Sequence, residues 1–227
     1  MSGTEKTYII TDIHGCLKTF MYLVRDIMAL NPDDNLYLLG DYIDRGPDSK
    51  GILDLIIELK EKGFKVFPLR GNHEQFVLNA TKGLQRHQFW LENGGHQTLA
   101  SFNAETVFDI PQKYIDFIES LPYYFELENY FLVHAGFNFQ DGKPFEDFHS
   151  MMTIRNFQID KRFLGNKKII HGHTPLPLYE IRRDLKDNDT LSFNLDGGCV
   201  YKNVSGLGNL LALELQNWEL IIQPNID

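Results

Sequence analysis

The sequence predicts an α/β protein, a single domain over residues 1–227 in which two mixed β-sheets pack face to face with helices outside. Three observations point there. The first half alternates short apolar runs with segments of helical period. Each of its three apolar runs ends in a glycine-containing loop rich in Asp, His, Asn and Arg. The second half then changes to short strand-like runs separated by turns.

Taken in order, Tyr8-Ile9-Ile10 is a strand that runs into Thr11-Asp12-Ile13-His14-Gly15. Leu17, Phe20, Met21, Val24, Ile27 and Met28 then recur at helical spacing. Asn35 to Leu39 is a second buried strand, ending in Gly40-Asp41-Tyr42-Ile43-Asp44-Arg45-Gly46. Asp48 or Ser49 can cap the next helix, which carries Ile52, Leu55, Ile56 and Leu59 on one face and stops at Gly63. Phe64 to Leu69 is a third strand, leading into Arg70-Gly71-Asn72-His73-Glu74. A β-α-β-α-β series implies parallel strands joined by right-handed crossovers. From Phe76 to Leu121 the pattern is helical, broken at Asn93-Gly94-Gly95 and stopped at Pro111. Strand signals follow at Phe125–Leu127, Tyr130–Val133, Lys168–Ile170, Thr190–Leu195, Leu210–Leu215 and Glu219–Ile222. All six are expected in a second sheet facing the first, with the acidic run Asp184 to Asp189 at a hairpin tip.

Composition narrows the function classes. With 43% hydrophobic residues the chain can bury a real core. A net charge of -9 argues against holding nucleic acid by its backbone, which needs a basic face. It leaves room for a small phosphorylated substrate, because bound cations and a few arginines can dominate a local field. Cys16 and Cys199, the 2 cysteines, make no disulfide framework, and Cys16, just past the first loop, reads as a buried, inert thiol. Met1 to Thr7 is polar, and no stretch approaches the roughly 20 apolar residues of a membrane helix. The expectation is a cytoplasmic monomer with no membrane or nucleic-acid partner.

The loops at the strand ends supply Asp12, His14, Asp41, Asn72, His134 and His171. In open α/β sheets ligands gather beyond the carboxyl ends of the strands, where these loops lie. Carboxylate, imidazole and one amide suit borderline divalent ions such as Mn, Fe or Zn. The absence of thiolate argues against a structural zinc site. Six ligands exceed what one tetrahedral ion uses, so two ions sharing a bridging Asp is the economical reading. Two ions roughly 3.5–4 Å apart can hold a hydroxide between them and stabilise in-line displacement at phosphorus.

Five motifs therefore follow in order: Asp12-Ile13-His14-Gly15, Gly40 to Gly46, Gly71-Asn72-His73-Glu74, His134-Ala135-Gly136 and His171-Gly172-His173. In order and approximate spacing the series resembles the signature of the PPP phosphoprotein phosphatases, calcineurin-like metallophosphoesterases. The match spans Asp12 to His173, and although any one motif is weak, five in order are specific. The resemblance implies the metallo-dependent phosphatase fold and a hydrolase that attacks phosphate monoesters with a hydroxide held between two divalent ions, manganese first among them. It implies that Asp12, His14 and Asp41 hold one ion and that Asp41 bridges to a second, completed by Asn72, His134 and His171. Arg45 would clamp phosphoryl oxygens with its planar fork. His73 would protonate the leaving alkoxide, with Asp44 accepting its other ring proton. A second phosphate-binding arginine is matched by Arg155 in Thr153-Ile154-Arg155-Asn156, with Arg162 in the same interval. His173 and Glu74 are either neighbours of the ligands or solvated groups.

One departure is Thr11, where the family has Gly; it is expected to narrow the site mouth slightly. The segments Trp90 to Gly95 and Asp196 to Tyr201 resemble the compact bacterial and phage-type enzymes, which implies a partial lid around Trp90. The substrate implied is a phosphoserine or phosphothreonine protein, or a phosphorylated small molecule. A symmetrical bis(5'-nucleosyl)-tetraphosphatase acting on diadenosine tetraphosphate is the alternative, and a non-catalytic binding module is the third reading.

Overall fold

The computed structural model describes residues 5–227; the first four residues of the polar N-terminal segment lie outside the described residues. Two sheets are present. The first is built on three parallel strands, β1 (Thr7–Ile10), β2 (Asn35–Leu38) and β3 (Lys65–Pro68). They are joined by α1 (Leu17–Tyr22), which continues as a π-helical turn Leu23–Ile27, and by α2 (Ser49–Glu61). Asp48 is the cap of α2: its carboxylate accepts from the Gly51 N–H at 2.7 Å. The middle is helical as read: α3 (Asn72–Ala80), α4 (Leu84–Trp90), a π-helical turn Leu91–Gly95, α5 (His96–Phe102) and α6 (Gln112–Glu119).

The second sheet has the order β4-β5-β6-β7, namely Tyr124–Glu126, Tyr130–Val133, Lys168–His171 and Ser192–Asn194. Between β5 and β6 lie α7 (Phe148–Thr153) and α8 (Lys161–Leu164), and α9 (Leu178–Lys186) follows β6. The last two strands, β8 (Asn209–Glu214) and β9 (Glu219–Pro224), depart from expectation. They belong to the first sheet, β8 pairing antiparallel with β1 to give the order β3-β2-β1-β8-β9. The reason is in the burial of β8. Leu210 and Ala212 enter the core beneath α1 and α2, while Leu211 and Leu213 enter the core between the sheets. A strand apolar on both faces needs an interior place in a sheet covered on both sides.

The same alternation holds elsewhere. Ile9 faces the inter-sheet core while Tyr8 and Ile10 face the helices; Leu132 and Ile170 face that core while Phe131, Val133 and Ile169 face the outer layer with Met151 and Leu164. The result is four layers: helices, sheet, sheet, helices. The acidic run is not a hairpin tip. Asp184 lies within α9, where Leu178, Ile181 and Leu185 bury a helical face despite the surrounding charge. Among the described residues no helix is long and apolar enough to cross a membrane.

Because β1, β2, β3, β5 and β6 carry the motifs at their carboxyl ends, the fold gathers all five loops at one rim. Leu213, fully buried between the sheets, gives the stability test. Leu213→Ala is expected to cost about 2–5 kcal/mol in urea unfolding, with the slope of the transition unchanged. The same truncation at the partly exposed edge residue Leu220 is expected to cost clearly less.

Candidate metal centre

The loops at this rim are held in a costly backbone conformation. Nine non-glycine residues among those described have positive φ, and six of them are Asp12 (31°), His14 (46°), Asp41 (55°), Asp44 (70°), Arg45 (67°) and His173 (75°). Each such residue costs on the order of 1–3 kcal/mol, and persists only where its surroundings over-determine it. Much of that constraint comes from Glu74, which is fully buried. Its carboxylate accepts the N–H groups of Asp41 (2.8 Å), Tyr42 (2.8 Å) and Gly71 (2.9 Å), tying the second loop to the third. Tyr42 adds a hydroxyl within 2.8 Å of the Leu38 carbonyl and 2.7 Å of the Leu69 carbonyl. Glu74 is thus a buried brace and not a solvated group.

Two groups of donors meet on Asp41. In one, His14 Nε2 lies 3.6 Å and His73 Nε2 3.9 Å from Asp41 Oδ2. In the other, His134 Nε2 lies 3.5 Å from Asp41 Oδ1, 3.0 Å from Asn72 Oδ1 and 3.2 Å from His173 Nδ1. The tautomers follow from the outer nitrogens. His14 Nδ1–H donates to the Ile43 carbonyl and His134 Nδ1–H to the Leu39 carbonyl, both at 2.8 Å. Each therefore turns an Nε2 lone pair toward other acceptors. Lone pairs facing an amide oxygen and a carboxylate at this spacing repel unless a cation lies among them. His173 Nε2 is also buried without a partner. The donor set fits divalent cations.

Charge distribution agrees. Burial pushes the Asp41 carboxyl up, but His134, His73, His14 and His173 around it hold it below its ordinary value. Asp12 has no such help: burial, then Asp196, then Asp41 push it well above the usual carboxylate range. Its carboxylate accepts the His173 N–H at 3.1 Å. Asp196, buried at 2% exposure, was not singled out in the sequence beyond its segment. Three buried carboxyl groups that repel one another when ionised are a second reason for cations to sit there.

The sequence and the structure differ over one histidine. His173, not His171, joins the Asp41–His134 group. His171 is the last residue of β6; its Nδ1 meets the Gly172 carbonyl at 3.1 Å and its ring edges onto Phe157. The turn at Gly172 reverses the side-chain direction. A Cβ there would lie 2.0 Å from Asp12 Oδ2, so only glycine lets the chain pass and swing His173 inward. A His-Gly-His step offers two candidates, and strand alternation alone does not choose between them. The other five candidates, Asp12, His14, Asp41, Asn72 and His134, all lie at the rim. Thr11 is 2% exposed and packs beneath Gly172, so it does not narrow the mouth.

His73 and Asp44 form the expected pair. His73 is 1% exposed and donates Nδ1–H to Asp44 Oδ2 at 2.7 Å, leaving Nε2 toward the cluster. Burial opposes its charge, but Asp41 and Asp44 outweigh burial and raise its pKa above the ordinary value. Arg45, half-buried, places Nη1 2.7 Å from the His14 Nε2 lone pair. Arg155 is exposed, and its charge reaches His173. Arg162 is paired with Asp160, with Nε 2.9 Å from Oδ2, whereas Arg155 is near enough to His173 to disfavour its charge. Trp90 is fully buried and donates Nε1–H to Asp44, so its side chain anchors the segment beneath the surface and does not itself cover the cleft.

Histidines, carboxylates and an amide held at the carboxyl ends of two facing sheets, with an imidazole–carboxylate pair and arginines beside them, define a metal-dependent phosphohydrolase. Comparison with known proteins agrees. Residues 5–202 match the calcineurin-like phosphoesterase family, and the chain belongs to it. It is 33% identical over 178 residues to serine/threonine-protein phosphatase 1 of Salmonella typhimurium, covering 74% of this chain and 78% of that protein. It is 26% identical over 244 residues to the asymmetrical bis(5'-nucleosyl)-tetraphosphatase PrpE of Anoxybacillus flavithermus, covering 96% and 93%. A crystal structure described provisionally as a diadenosine tetraphosphatase superposes with a TM-score of 0.68 at 22% identity, covering 100% and 96%.

Two outcomes are expected. His173→Ala loses bound metal by elemental analysis, whereas His171→Ala retains it. The second concerns pH. Burial, then Asp41, raises Glu74 from 4.5 to about 7, and burial raises Asp196 from 3.8 to about 7. Both hold a proton more tightly folded than unfolded, so their contribution is present below the unfolded values and lost as pH rises through about 7. The histidines oppose this: burial lowers His171 to about 4 and His173 to about 3, so their contribution is lost as pH falls below 6.5. Metal-free Asp196→Asn should therefore gain Tm relative to the parent as pH rises from 5 to 8, and added Mn2+ should raise the parent's Tm more at pH 8.

Proposed function

We propose that the chain is a phosphoprotein phosphatase that hydrolyses phosphate monoesters of serine and threonine. In this reading two divalent ions, manganese first, are held by Asp12, His14, Asp41, Asn72, His134 and His173. Bound there, the ions would supply Lewis-acid polarisation of the phosphoryl group and of the attacking water. The protein's own residues do the rest. Arg45, whose contact with the His14 lone pair a cation would replace, turns its fork to the phosphoryl oxygens. Arg155 meets them from the mouth. His73 gives its Nε2 proton to the leaving oxygen, while its Nδ1 proton stays on the ring, hydrogen-bonded to Asp44.

The observation that carries the choice of substrate is the buried His73–Asp44 pair. An alkoxide needs a proton to leave, and a positioned acid contributes about 10²–10⁴ in rate. A nucleotide leaving from a phosphoanhydride departs as a stable phosphate anion and needs that acid far less. The 33% identity with a serine/threonine phosphatase supports the same reading.

A dinucleoside tetraphosphatase is the second reading, and one cleft favours it. Phe76 stands edge-on to His73 with ring centroids 5.2 Å apart, and Phe89, half exposed, stands edge-on to Phe76 at 5.0 Å. Together with Asn79, Gln85 and Arg86 they line ≈ 340 Å³ beside the acid, where a nucleobase could stack.

The two are separated by offering Mn2+-loaded protein a phosphoseryl peptide and diadenosine tetraphosphate in one tube, followed by chromatography. The peptide is expected to lose its phosphate first. Prior cleavage of the dinucleotide would overturn the choice of substrate while leaving the metal centre intact.

A further inference from the structure

We propose that Trp90 and Thr98 are positioning residues for proton transfer: their buried grip on the Asp44 carboxylate aims His73 Nε2 at the leaving oxygen. The inference rests on the reading of His73 as the proton donor.

Asp44 is 0% exposed, so its carboxylate is withdrawn from bulk solvent. Three side chains donate to it. His73 Nδ1–H reaches Oδ2 at 2.7 Å, Thr98 Oγ1–H reaches Oδ1 at 2.6 Å, and Trp90 Nε1–H bridges both oxygens at 3.0 and 3.1 Å. A carboxylate held by His73 alone could rotate about its last bond and carry the imidazole with it. One held at both oxygens cannot. Thr98 is itself held: with its proton committed to Asp44, it accepts from the Ser49 hydroxyl at 2.9 Å. The Asp44 N–H completes the ring, 3.0 Å from both hydroxyl oxygens. Such a closed chain of buried hydrogen bonds is rigid, and each member strengthens the next.

Trp90 and Thr98 lie 46 and 54 residues from Asp44 in the chain. The segment between them is shaped to fit against the Asp44 loop. The Gly94 carbonyl accepts the Arg45 N–H at 3.1 Å, and Gly94 has φ 109°, in the region glycine favours. A Cβ there would lie 2.7 Å from the Arg45 backbone nitrogen. A Cβ on Gly95 would lie 2.6 Å from the Trp90 ring. The two glycines thus let the π-helical turn close on the loop and deliver the indole N–H. Neither Trp90 nor Thr98 hydrogen-bonds to any of the six metal-binding residues. Removing their donors therefore perturbs the aim of the acid and not the occupancy of the ions.

The test uses leaving groups of graded basicity, because a misdirected acid matters only where the leaving oxygen needs a proton. Full-length Mn2+-loaded Trp90→Phe and Thr98→Val are compared with the parent on 2,4-dinitrophenyl phosphate, phenyl phosphate and a phosphoseryl peptide. Thr98→Val keeps shape and tests the idea should Trp90→Phe fail to fold. Both variants are expected to lose about tenfold to a hundredfold in kcat on the peptide and on phenyl phosphate, yet stay within about threefold on the dinitrophenyl ester, with metal content unchanged. An equal loss on all three substrates, or no loss on any, overturns the inference. His73→Asn is run beside them. If it shows no dependence on the leaving group, the acid assignment itself fails; if it shows one and the two variants do not, only the positioning role fails.

Discussion

The structure depends on lone pairs that face one another. His134 Nε2 turns its lone pair on Asn72 Oδ1 and toward Asp41 Oδ1, and the one ring proton of His173 and the His73 N–H on Asp41 Oδ1 leave the acceptors there outnumbering the donors. These side chains are mostly buried, which withdraws them from bulk water. A divalent cation turns the repulsion into coordination. The unusual backbone of six of the site residues is the other side of the same constraint: loops relaxed to ordinary φ would point these acceptors apart.

Holding that arrangement requires a frame that does not yield. Glu74 ties the second loop to the third through three backbone N–H groups. The Trp90–Thr98 segment grips the Asp44–Arg45 stretch from the other side. The four-layer packing supplies the base, since both sheets end at the same rim and both bury a full apolar face. The brace on Asp41 and the grip on Asp44 therefore come from different elements, so the two can be tested separately.

Much of this was legible in the sequence. The β-α-β-α-β order, the parallel first strands and the gathering of Asp12, His14, Asp41, Asn72 and His134 at one rim follow from strand signals that end in loops rich in Asp, His and Asn. Pairing was less legible. The run Leu210 to Leu213 signals burial on both faces, but which sheet it joins depends on contacts with β1, some 200 residues earlier. His173 was obscured because the turn at Gly172, pressed by Asp12 and Thr11, decides which histidine swings inward. The helix α9 was hidden by its charge, Leu178, Ile181 and Leu185 forming only one face among five charged residues. Trp90 and Thr98 could not be assigned at all, because nothing in their local pattern points to a carboxylate 46 or 54 residues away.

The claim on which the rest stands is that Asp41 joins two cation sites. Stepwise addition of Mn2+ to chelator-treated protein, followed by electron paramagnetic resonance, tests it most directly. The account predicts two equivalents bound per chain and, at saturation, the spin-coupled spectrum of ions about 3.5–4 Å apart. A single equivalent, or two with the spectrum of isolated Mn2+, would contradict it.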